Sequence, residues 1–187
     1  MEKETASASV ITPTRESIED LRARVAGALY LDDIHKSLYA TDASVYKEIP
    51  LGVVFPMNEN DLLQISAWAE ENAIPLIPRA GGTSLAGQVV GNGLVVDCSR
   101  HMNGIVDFNE EERWIVVEPG IIRDDLNAWL RPYNLFFGPN TSTSNRCTIG
   151  GMVGNNSSGT TSIKYGVTRD HVVELWGILP GGKNCRF

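Results

Sequence analysis

A run of alternating β and α patterns over residues 50–98 constrains the fold of this chain more than any other feature. A β-type run at residues 53–55 is stopped by a proline, and residues 58–61 then give a helix start signal followed by apolar residues on one face. Further short β-type runs lie at residues 74–78 and 94–97. Because elements in this order form parallel sheets, the sequence predicts a small, largely parallel lobe.

An antiparallel pattern follows this lobe. Residues 104–108 and 114–118 flank a polar turn and predict a β-hairpin, and residues 122–130 predict a short helix. Residues 136–166 are rich in Gly, Ser, Thr and Asn, and a loop region of this length inside a compact domain is either functional or disordered. A strand is predicted at residues 172–179. We therefore expect a second, mainly antiparallel lobe.

The two ends of the chain carry further signals. Residues 1–14 are polar and predict a disordered tail, residues 17–30 have helical spacing, and residues 38–48 predict a loop. Residues 180–183 predict a hairpin turn and residues 185–187 the start of a returning strand. Because domains seldom end one step into a hairpin, we expect a truncated piece of a longer protein. The predicted organisation is a tail (1–14), an N-terminal helix and lead-in (15–49), a first lobe (50–98) and a second lobe that is incomplete at its C-terminal end (99–187).

Composition and charge exclude several classes of function. The chain is 42% hydrophobic and 21% charged, which is typical of a globular protein. Its net charge of −7 and scattered Lys and Arg argue against a nucleic-acid or anionic-membrane surface. No apolar run approaches the roughly 18 residues of a membrane-spanning helix, and the acidic N-terminus lacks a signal-peptide pattern. Three widely spaced cysteines without a C-x-x-C pair indicate neither a zinc site nor a disulfide framework, so we expect a reduced, cytoplasmic protein.

The segment at residues 78–88 is the strongest local signal for chemistry. It follows a β-type run directly and contains three glycines, with Thr83 and Ser84 between them. Glycines allow consecutive backbone N–H groups to converge on an oxyanion, so the segment favours a phosphate or pyrophosphate ligand. A nucleotide-hydrolysing Walker A loop would need Lys and Ser/Thr where Gln88 and Val89 stand, which argues against that class. On this segment alone, a glycine-rich surface turn that binds nothing stays open.

A second polar segment covers residues 139–159 and continues to residue 166. Most of its residues are Ser, Thr, Asn or Gly, yet Ile149, Met152 and Val153 are spaced to anchor a short buried helix, which linkers rarely contain. Two loops of this kind, each joined to ordered elements, suit a ligand with two polar ends better than a single phosphate.

These motifs together resemble the FAD-binding PCMH-type domain of the vanillyl-alcohol oxidase class. The resemblance rests on P-R-x-G-G-T-S-L-x-G, T-I-G-G-x-x-x-N-N-S-S-G and K-Y-G-x-T-x-D-H-V, in that order, and extends from about Tyr39 to Lys183. Within the class the chain looks most like FAD-linked dehydrogenases of D-2-hydroxy acids such as D-lactate and glycolate. The N-N-S-S-G segment is similar to long members that add an iron–sulfur domain. The implied fold is α+β and two-lobed, a small parallel β/α lobe plus a truncated, mainly antiparallel β lobe, with FAD between them.

The resemblance also implies which residues contact FAD. The group expected around the pyrophosphate comprises Arg79, Ala80, Gly81, Gly82, Thr83, Ser84, Leu85, Gly87 and Gln88. The group expected along the ribityl chain and isoalloxazine ring comprises Pro139, Thr143, Ser144, Thr148, Gly150, Gly151, Asn155 and Ser158. A third group, expected near the flavin or adenine but equally typical of a core, comprises Val117, Pro119, Gly120, Tyr165, Val172 and Ile178.

The implied attachment of FAD is non-covalent. Relatives that bind FAD covalently often place a histidine where Thr83 stands, and threonine has no ring nitrogen for such a bond. A cysteinyl–flavin bond at Cys147 is the alternative, although its T-I-G-G context favours a small packed residue. The resemblance implies no metal site and no catalytic residue within this chain, His35, His101 and His171 included. An iron–sulfur cluster is implied only for a C-terminal region outside it.

For an intact relative, the implied reaction is oxidation of a 2-hydroxy acid by hydride transfer from its α-carbon to flavin N5. The electrons then leave to a downstream acceptor, such as a quinone, a cytochrome, a flavoprotein or an iron–sulfur partner. The substrate site is expected outside this chain, which is therefore expected to be inactive by itself. The alternative is a structural fragment that binds FAD weakly or not at all until the missing C-terminal part is present. An exposed edge of a truncated sheet would favour self-association.

Overall fold

The computed structural model describes residues 13–187, so the predicted tail at residues 1–14 lies almost entirely outside the described residues. The helices are Arg15–Arg24 (α1), Asp33–Leu38 (α2), Glu59–Glu71 (α3), Arg123–Leu130 (α4), Ile149–Asn155 (α5) and Ser162–Tyr165 (α6). The strands are Ala28–Tyr30 (β1), Gly52–Phe55 (β2), Leu76–Arg79 (β3), Leu94–Asp97 (β4), Ile105–Asn109 (β5), Trp114–Val117 (β6), Trp176–Leu179 (β7) and Lys183–Arg186 (β8). None of the helices in the described part of the chain has the length and apolar character needed to span a membrane.

The first lobe is a four-stranded sheet in the order β1-β2-β4-β3. Strands β2, β4 and β3 run parallel, with Val95 opposite both Val53 and Ile77, which confirms the predicted parallel unit. Helix α3 begins where the sequence predicts, because the Asn58 side chain accepts a hydrogen bond from the Asp61 backbone N–H at 3.0 Å. Helices α1 and α3 pack against one another over the core of this lobe, which contains the fully buried Leu21, Ile65, Trp68, Val54 and Leu94.

The predicted helix at residues 17–30 is wrong in its second half. Helix α1 ends at Arg24, and strand β1 follows it and pairs antiparallel with β2. The change of direction is fixed by Asp61, whose carboxylate accepts hydrogen bonds from the N–H groups of Ala26 and Gly27, each at 2.9 Å. Helical spacing cannot reveal this break because the partner carboxylate lies 35 residues away in the sequence. Helix α2 was not predicted either, since none of its residues is buried and it has no apolar periodicity.

The second lobe contains the β5–β6 hairpin and helices α4 and α5, all as predicted. Its core joins Ile121 and Leu126 to residues of the polar segment that were expected to anchor a buried helix, namely Ile149 and Met152. Val153 is partly buried against the same cluster. The segment that is rich in Ser, Thr, Asn and Gly is therefore held to the second lobe through α5.

The predicted strand at residues 172–179 is shorter than expected. Residues Thr168–His171 form a 3-10 helix, Val172 is exposed, and β7 begins only at Trp176. The predicted turn and returning strand are confirmed, since β8 pairs antiparallel with β7. Strands β5 to β8 form two separate antiparallel hairpins instead of one sheet.

The β7–β8 hairpin packs against helix α3 of the first lobe. The Ser66 hydroxyl donates to the Leu179 carbonyl oxygen at 3.0 Å and accepts from the Gly182 N–H at 3.2 Å. The chain therefore returns to the first lobe after leaving the second. The division of the chain at residues 98 and 99 stays a prediction.

Candidate functional site

The first glycine-rich loop, residues 79–88, leaves the carboxyl end of strand β3 at the edge of the parallel sheet. Its backbone N–H groups at residues 81–85 donate no hydrogen bond to any partner within residues 13–187. The loop is partly open to solvent, with Gly81 and Leu85 exposed and the three residues between them half-buried. A row of free N–H groups around glycines is the backbone geometry that binds oxyanions.

Ser84 and Gln88 close this loop on itself. The Ser84 hydroxyl donates to Gln88 Oε1 at 2.8 Å and accepts from the N–H groups of Ala86 at 3.2 Å and Gln88 at 3.4 Å. The side chain of Ser84 is thus engaged in shaping the loop, and its backbone N–H is the group left available.

Helix α5 brings the second polar segment to the same place. Thr148 is buried and caps the helix, since its hydroxyl accepts from the Gly151 N–H at 3.3 Å. The Gly150 N–H donates to the Pro119 carbonyl oxygen at 2.8 Å, so the turn at Pro119 and Gly120 is attached to the start of the helix.

Residues 141–143, just before this helix, repeat the property of the first loop. Their backbone N–H groups donate no hydrogen bond within the described part of the chain. The Thr143 carbonyl oxygen accepts from the N–H groups of Arg146 and Cys147, and the Ser144 hydroxyl donates to Asp124 at 3.0 Å. The segment is therefore folded back on itself and tied to α4 while its own donors stay free.

The two loops touch each other. A Cβ added to Gly81 would overlap the Arg146 carbonyl oxygen, and a Cβ added to Gly151 would lie 3.2 Å from the Ala80 Cβ. The Gln88 amide donates to Asn155 Oδ1 at 3.4 Å. Glycine is required at residue 81 because the backbone of the second segment occupies the space that a side chain would need.

A cleft of about 460 Å³ opens beside this junction. Three residues predicted to bind the cofactor line it, Gly81, Gly120 and Thr148. Sequence reasoning gave no cofactor-binding role to the other lining residues, which are Ser99, Asn103, Ile105, Ile121, Ile122, Asp125, Trp129 and Arg146. Arg146 stands inside the second polar segment, two residues before the T-I-G-G motif, and brings a positive charge to the cleft, which its place in that segment could have suggested. The remaining lining residues have no motif signal and meet only through the fold.

Some predicted residues lie away from this junction. Ile178 is on β7, the strand that packs against α3. Val172 is exposed and outside any strand. Tyr165 packs edge-on against Phe136, with ring centroids 5.1 Å apart, and borders Gly138. Val117 is partly buried against the core of the second lobe. The polar segments, but not these strand and rim residues, converge on one place.

Three further predicted cofactor contacts in the two segments differ in their burial, namely Leu85, Pro139 and Ser158. Leu85 is exposed, as are several other large apolar side chains of the described residues. Pro139 is buried, and its carbonyl oxygen accepts from Arg123 Nε at 3.1 Å. Ser158 is exposed at the end of the N-N-S-S-G stretch.

The two cysteines near the junction are poorly suited to nucleophilic chemistry. Cys147 is buried in the core of the second lobe, with its Sγ 3.3 Å from the Thr141 hydroxyl. Burial, together with the negative charge of Asp97, raises the pKa of the Cys98 thiol to about 11. Within residues 13–187 no cluster of His, Cys, Asp and Glu side chains is arranged to hold a metal ion.

Comparison with known proteins identifies the class. A family model described as an FAD binding domain matches residues 50–187, and the chain belongs to this family. The chain is 43% identical to D-2-hydroxyglutarate dehydrogenase of Pseudomonas putida over 95% of its own length and 18% of that protein's. It is 33% identical to glycolate oxidase subunit GlcD of Bacillus subtilis over 91% of its own length and 37% of that protein's. The chain therefore spans well under half of the curated relatives that it matches.

Solved structures confirm the fold. Alkyldihydroxyacetonephosphate synthase superimposes with a TM-score of 0.85 at 21% identity, covering 94% of this chain and 38% of that one. The 6-hydroxy-D-nicotine oxidase of Arthrobacter nicotinovorans superimposes with a TM-score of 0.75 at 20% identity, covering 87% of this chain and 36% of that one. These likenesses confirm the predicted two-lobed α+β architecture.

Proposed function

We propose that this chain holds FAD without a covalent bond at the junction of its two lobes, as the cofactor-binding part of a dehydrogenase that oxidises a 2-hydroxy acid. The observation that carries the proposal is the row of free N–H groups at residues 81–85. A diphosphate offers the several acceptor oxygens that such a row needs. The family match supplies the identity of the dinucleotide.

The loop at residues 79–88 would hold the pyrophosphate. Its backbone N–H groups at residues 81–85 would be the donors, and Ser84 and Gln88 keep the loop closed. Two arginines compensate the charge of the diphosphate in a chain whose net charge is −7, namely Arg79 at the start of the loop and Arg146 in the cleft.

The second segment would hold the other end of the cofactor. The free N–H groups at residues 141–143 are available donors, whereas the Ser144 hydroxyl already donates to Asp124. The buried Thr148 hydroxyl accepts from the Gly151 N–H and keeps its own O–H as a further donor. Gly150 and Gly151 allow α5 to approach Pro119 and the first loop closely. Val172 and Ile178 do not line the cleft and stay predicted contacts of the cofactor.

The proposed attachment is non-covalent. Thr83 lies in the first loop and has no nucleophilic ring nitrogen, and Cys147 is buried in the core instead of facing the cleft. Bound FAD would supply the hydride acceptor for oxidation of the substrate, while this chain binds and orients it.

The substrate class is proposed from the relatives. The curated proteins similar to this chain include D-2-hydroxyglutarate dehydrogenases, a glycolate oxidase subunit and D-lactate dehydrogenases. Each of these names contains a 2-hydroxy acid. We propose the same class for the full protein, with electrons passing to a separate acceptor and the substrate side chains lying outside this chain. An iron–sulfur cluster in another region, self-association and a cytoplasmic location stay predictions. Three free cysteines agree with a reducing compartment.

The first test is a visible absorption spectrum of the purified chain after incubation with FAD and desalting. We expect flavin absorption bands to stay with the protein and to pass into the supernatant on acid precipitation. The matched variants are Gly82→Val and Gly104→Ala. The backbone φ of Gly82 is +60°, which strains any residue with a Cβ, and that Cβ would lie 2.5 Å from the Arg79 guanidinium. A Cβ at Gly104 would approach only the flexible Glu118 carboxylate, at 3.1 Å. Gly82→Val should lose the bound flavin and Gly104→Ala should retain it.

Three outcomes would contradict parts of the proposal. Flavin that stays in the acid pellet would refute non-covalent attachment. A colourless wild-type chain would favour the alternative, a structural fragment that needs further chain to bind FAD. Magnesium-dependent ATP hydrolysis would support a nucleotide-hydrolysing module in place of a flavin site.

A further inference from the structure

We propose that Tyr39 is a positioning residue for the pyrophosphate loop (residues 79–88), because it holds the Arg79 guanidinium beside Gly82 of that loop. This inference rests on the proposed function and deepens it by naming what keeps the loop in its binding shape. Tyr39 lies 40 residues before Arg79, at the start of the stretch that resembles the family, and the sequence predicted a loop there without a cofactor-binding role for it.

Arg79 and Tyr39 are joined in two ways. The Arg79 guanidinium carbon lies over the Tyr39 ring, 4.9 Å from its centroid, and Arg79 Nη1 donates to the Tyr39 carbonyl oxygen at 3.3 Å. The same guanidinium comes within 2.5 Å of the position that a Cβ would take on Gly82. The charged group is thereby placed directly beside the glycines of the loop.

The Tyr39 ring is itself held in place by a hydrogen bond to the buried carboxylate of Asp97. Its hydroxyl donates to Asp97 Oδ2 at 2.6 Å, and Asp97 Oδ1 accepts from the Ser99 N–H at 2.8 Å and its hydroxyl at 2.6 Å. Asp97 is 4% exposed and stands opposite Arg79 in the register of β3 and β4. Burial and the Asp97 carboxylate raise the pKa of the Tyr39 hydroxyl, so it stays a donor at physiological pH.

The residues after Tyr39 support the rest of the loop. The Ala43 N–H donates to the Gly82 carbonyl oxygen at 3.2 Å, and the Tyr46 ring lies where a Cβ on Gly87 would need space. Binding the carbonyl oxygen of Gly82 to this segment keeps that acceptor away from an incoming anion. The segment thus orients both the charge and the backbone dipoles of the loop.

Arg79 has no contact ion pair within residues 13–187. Stacking on a tyrosine and a bond to a carbonyl oxygen orient a guanidinium without forming a contact ion pair, so its remaining N–H donors can reach a phosphate. Against the effect of burial, hydrogen bonds from Ser44 and the charge of Arg79 lower the pKa of the Asp42 carboxyl, so Asp42 shares part of the Arg79 charge. Without the Tyr39 ring, the long Arg79 side chain would sample other rotamers, and its ordering would be an added cost of binding.

The test uses the whole chain and measures the dissociation constant of FAD by quenching of flavin fluorescence, together with thermal unfolding of each variant without FAD. Tyr39→Leu removes the stacking surface and should weaken FAD binding at least tenfold. Tyr39→Phe keeps the ring and removes only the bond to Asp97, so it should lower the unfolding temperature and keep FAD affinity within about threefold. Tyr30→Leu is the matched control, since both tyrosines pack edge-on against Phe55 but only Tyr39 contacts Arg79. It should change FAD affinity less than twofold.

A double-mutant cycle separates positioning from general loss of stability. In an Arg79→Met background, Tyr39→Leu should weaken FAD binding by less than twofold further, because the group that it positions is gone. Full additivity of the two losses, or equal losses from Tyr39→Leu and Tyr30→Leu, would overturn the inference. Unchanged affinity in Tyr39→Leu would overturn it while the proposed function stands. Failure of the wild-type chain to bind FAD would overturn both.

Discussion

Replacement of Gly150 by alanine tests whether helix α5 must lie directly on the Pro119–Gly120 turn. A Cβ at Gly150 would stand 2.6 Å from the Pro119 Cβ and 2.9 Å from its carbonyl oxygen. Carbon atoms in contact normally lie about 3.5–4.0 Å apart, so α5 would have to move away by about 1 Å. The hydrogen bond from the Gly150 N–H to Pro119, now 2.8 Å long, would then be broken.

The expected cost follows from these contacts. Overpacking of a well-fitted site costs about 1–3 kcal/mol, and the lost hydrogen bond adds about 0.5–1.5 kcal/mol. The higher helix propensity of alanine offsets about 1 kcal/mol of this. The free energy of unfolding should therefore fall by about 0.5–3.5 kcal/mol. Because α5 carries Gly151 against Ala80, FAD binding should weaken by at least about tenfold.

Urea unfolding followed by tryptophan fluorescence and titration with FAD give the two quantities. Gly154→Ala is the matched control, since it makes the same change in the same helix where a Cβ would meet no atom within 4 Å. Its free energy of unfolding should rise by up to about 1 kcal/mol. If Gly150→Ala proved as stable as the wild type and bound FAD equally well, the close approach of α5 to Pro119 would not matter and the reasoning would be refuted.

Two further predictions concern groups outside the loops. Asp61→Ala should lower the free energy of unfolding by about 3 kcal/mol or more in urea, because it leaves the N–H groups of Ala26, Gly27 and Met57 without their buried acceptor. The exposed Asp107→Ala should cost less than about 1 kcal/mol, and equal losses from the two variants would contradict the assigned role. Cys98, with its pKa raised to about 11, should react with iodoacetamide at pH 8 at least about tenfold more slowly than Cys185, and its rate should rise as the pH approaches that value. Peptide mapping by mass spectrometry measures both rates, and comparable rates at pH 8 would show that the Cys98 thiolate is not disfavoured.

The elements that sequence patterns predicted correctly are those whose signals are local. The helix α3 has its cap, its apolar face and its end at Asn72 within one short stretch. The β5–β6 hairpin and the turn before β8 are likewise set by residues next to one another. Helix α5 was expected inside a loop-like composition because Ile149 and Met152 have a helical spacing that survives among glycines and serines.

Two features that the sequence did not reveal share one physical cause, which is a partner distant in sequence. Strand β1 replaces the end of a predicted helix because Asp61 and β2 supply hydrogen bonds that no local pattern contains. The β7–β8 hairpin packs on α3 through Ser66, a residue with no motif signal. In both cases a polar side chain on α3 binds backbone groups of another segment, and composition cannot report such a pairing.

The candidate site combines local sequence signals with contacts between residues that are distant in sequence. Its motifs were visible because a chain that must leave consecutive N–H groups free needs glycines, and glycines with hydroxyl residues are conspicuous in a sequence. The contacts that hold these N–H donors in position could not be predicted, because each joins segments distant in sequence. Gly81 lies against Arg146, Gly150 against Pro119, and Arg79 against Tyr39. A free N–H group binds an anion strongly only if it is held in place before the anion arrives. The motif residues therefore identify the class of ligand, whereas the strength of binding should depend on residues outside the motifs, and substitutions at Tyr39 or Pro119 should alter affinity without changing which cofactor is bound.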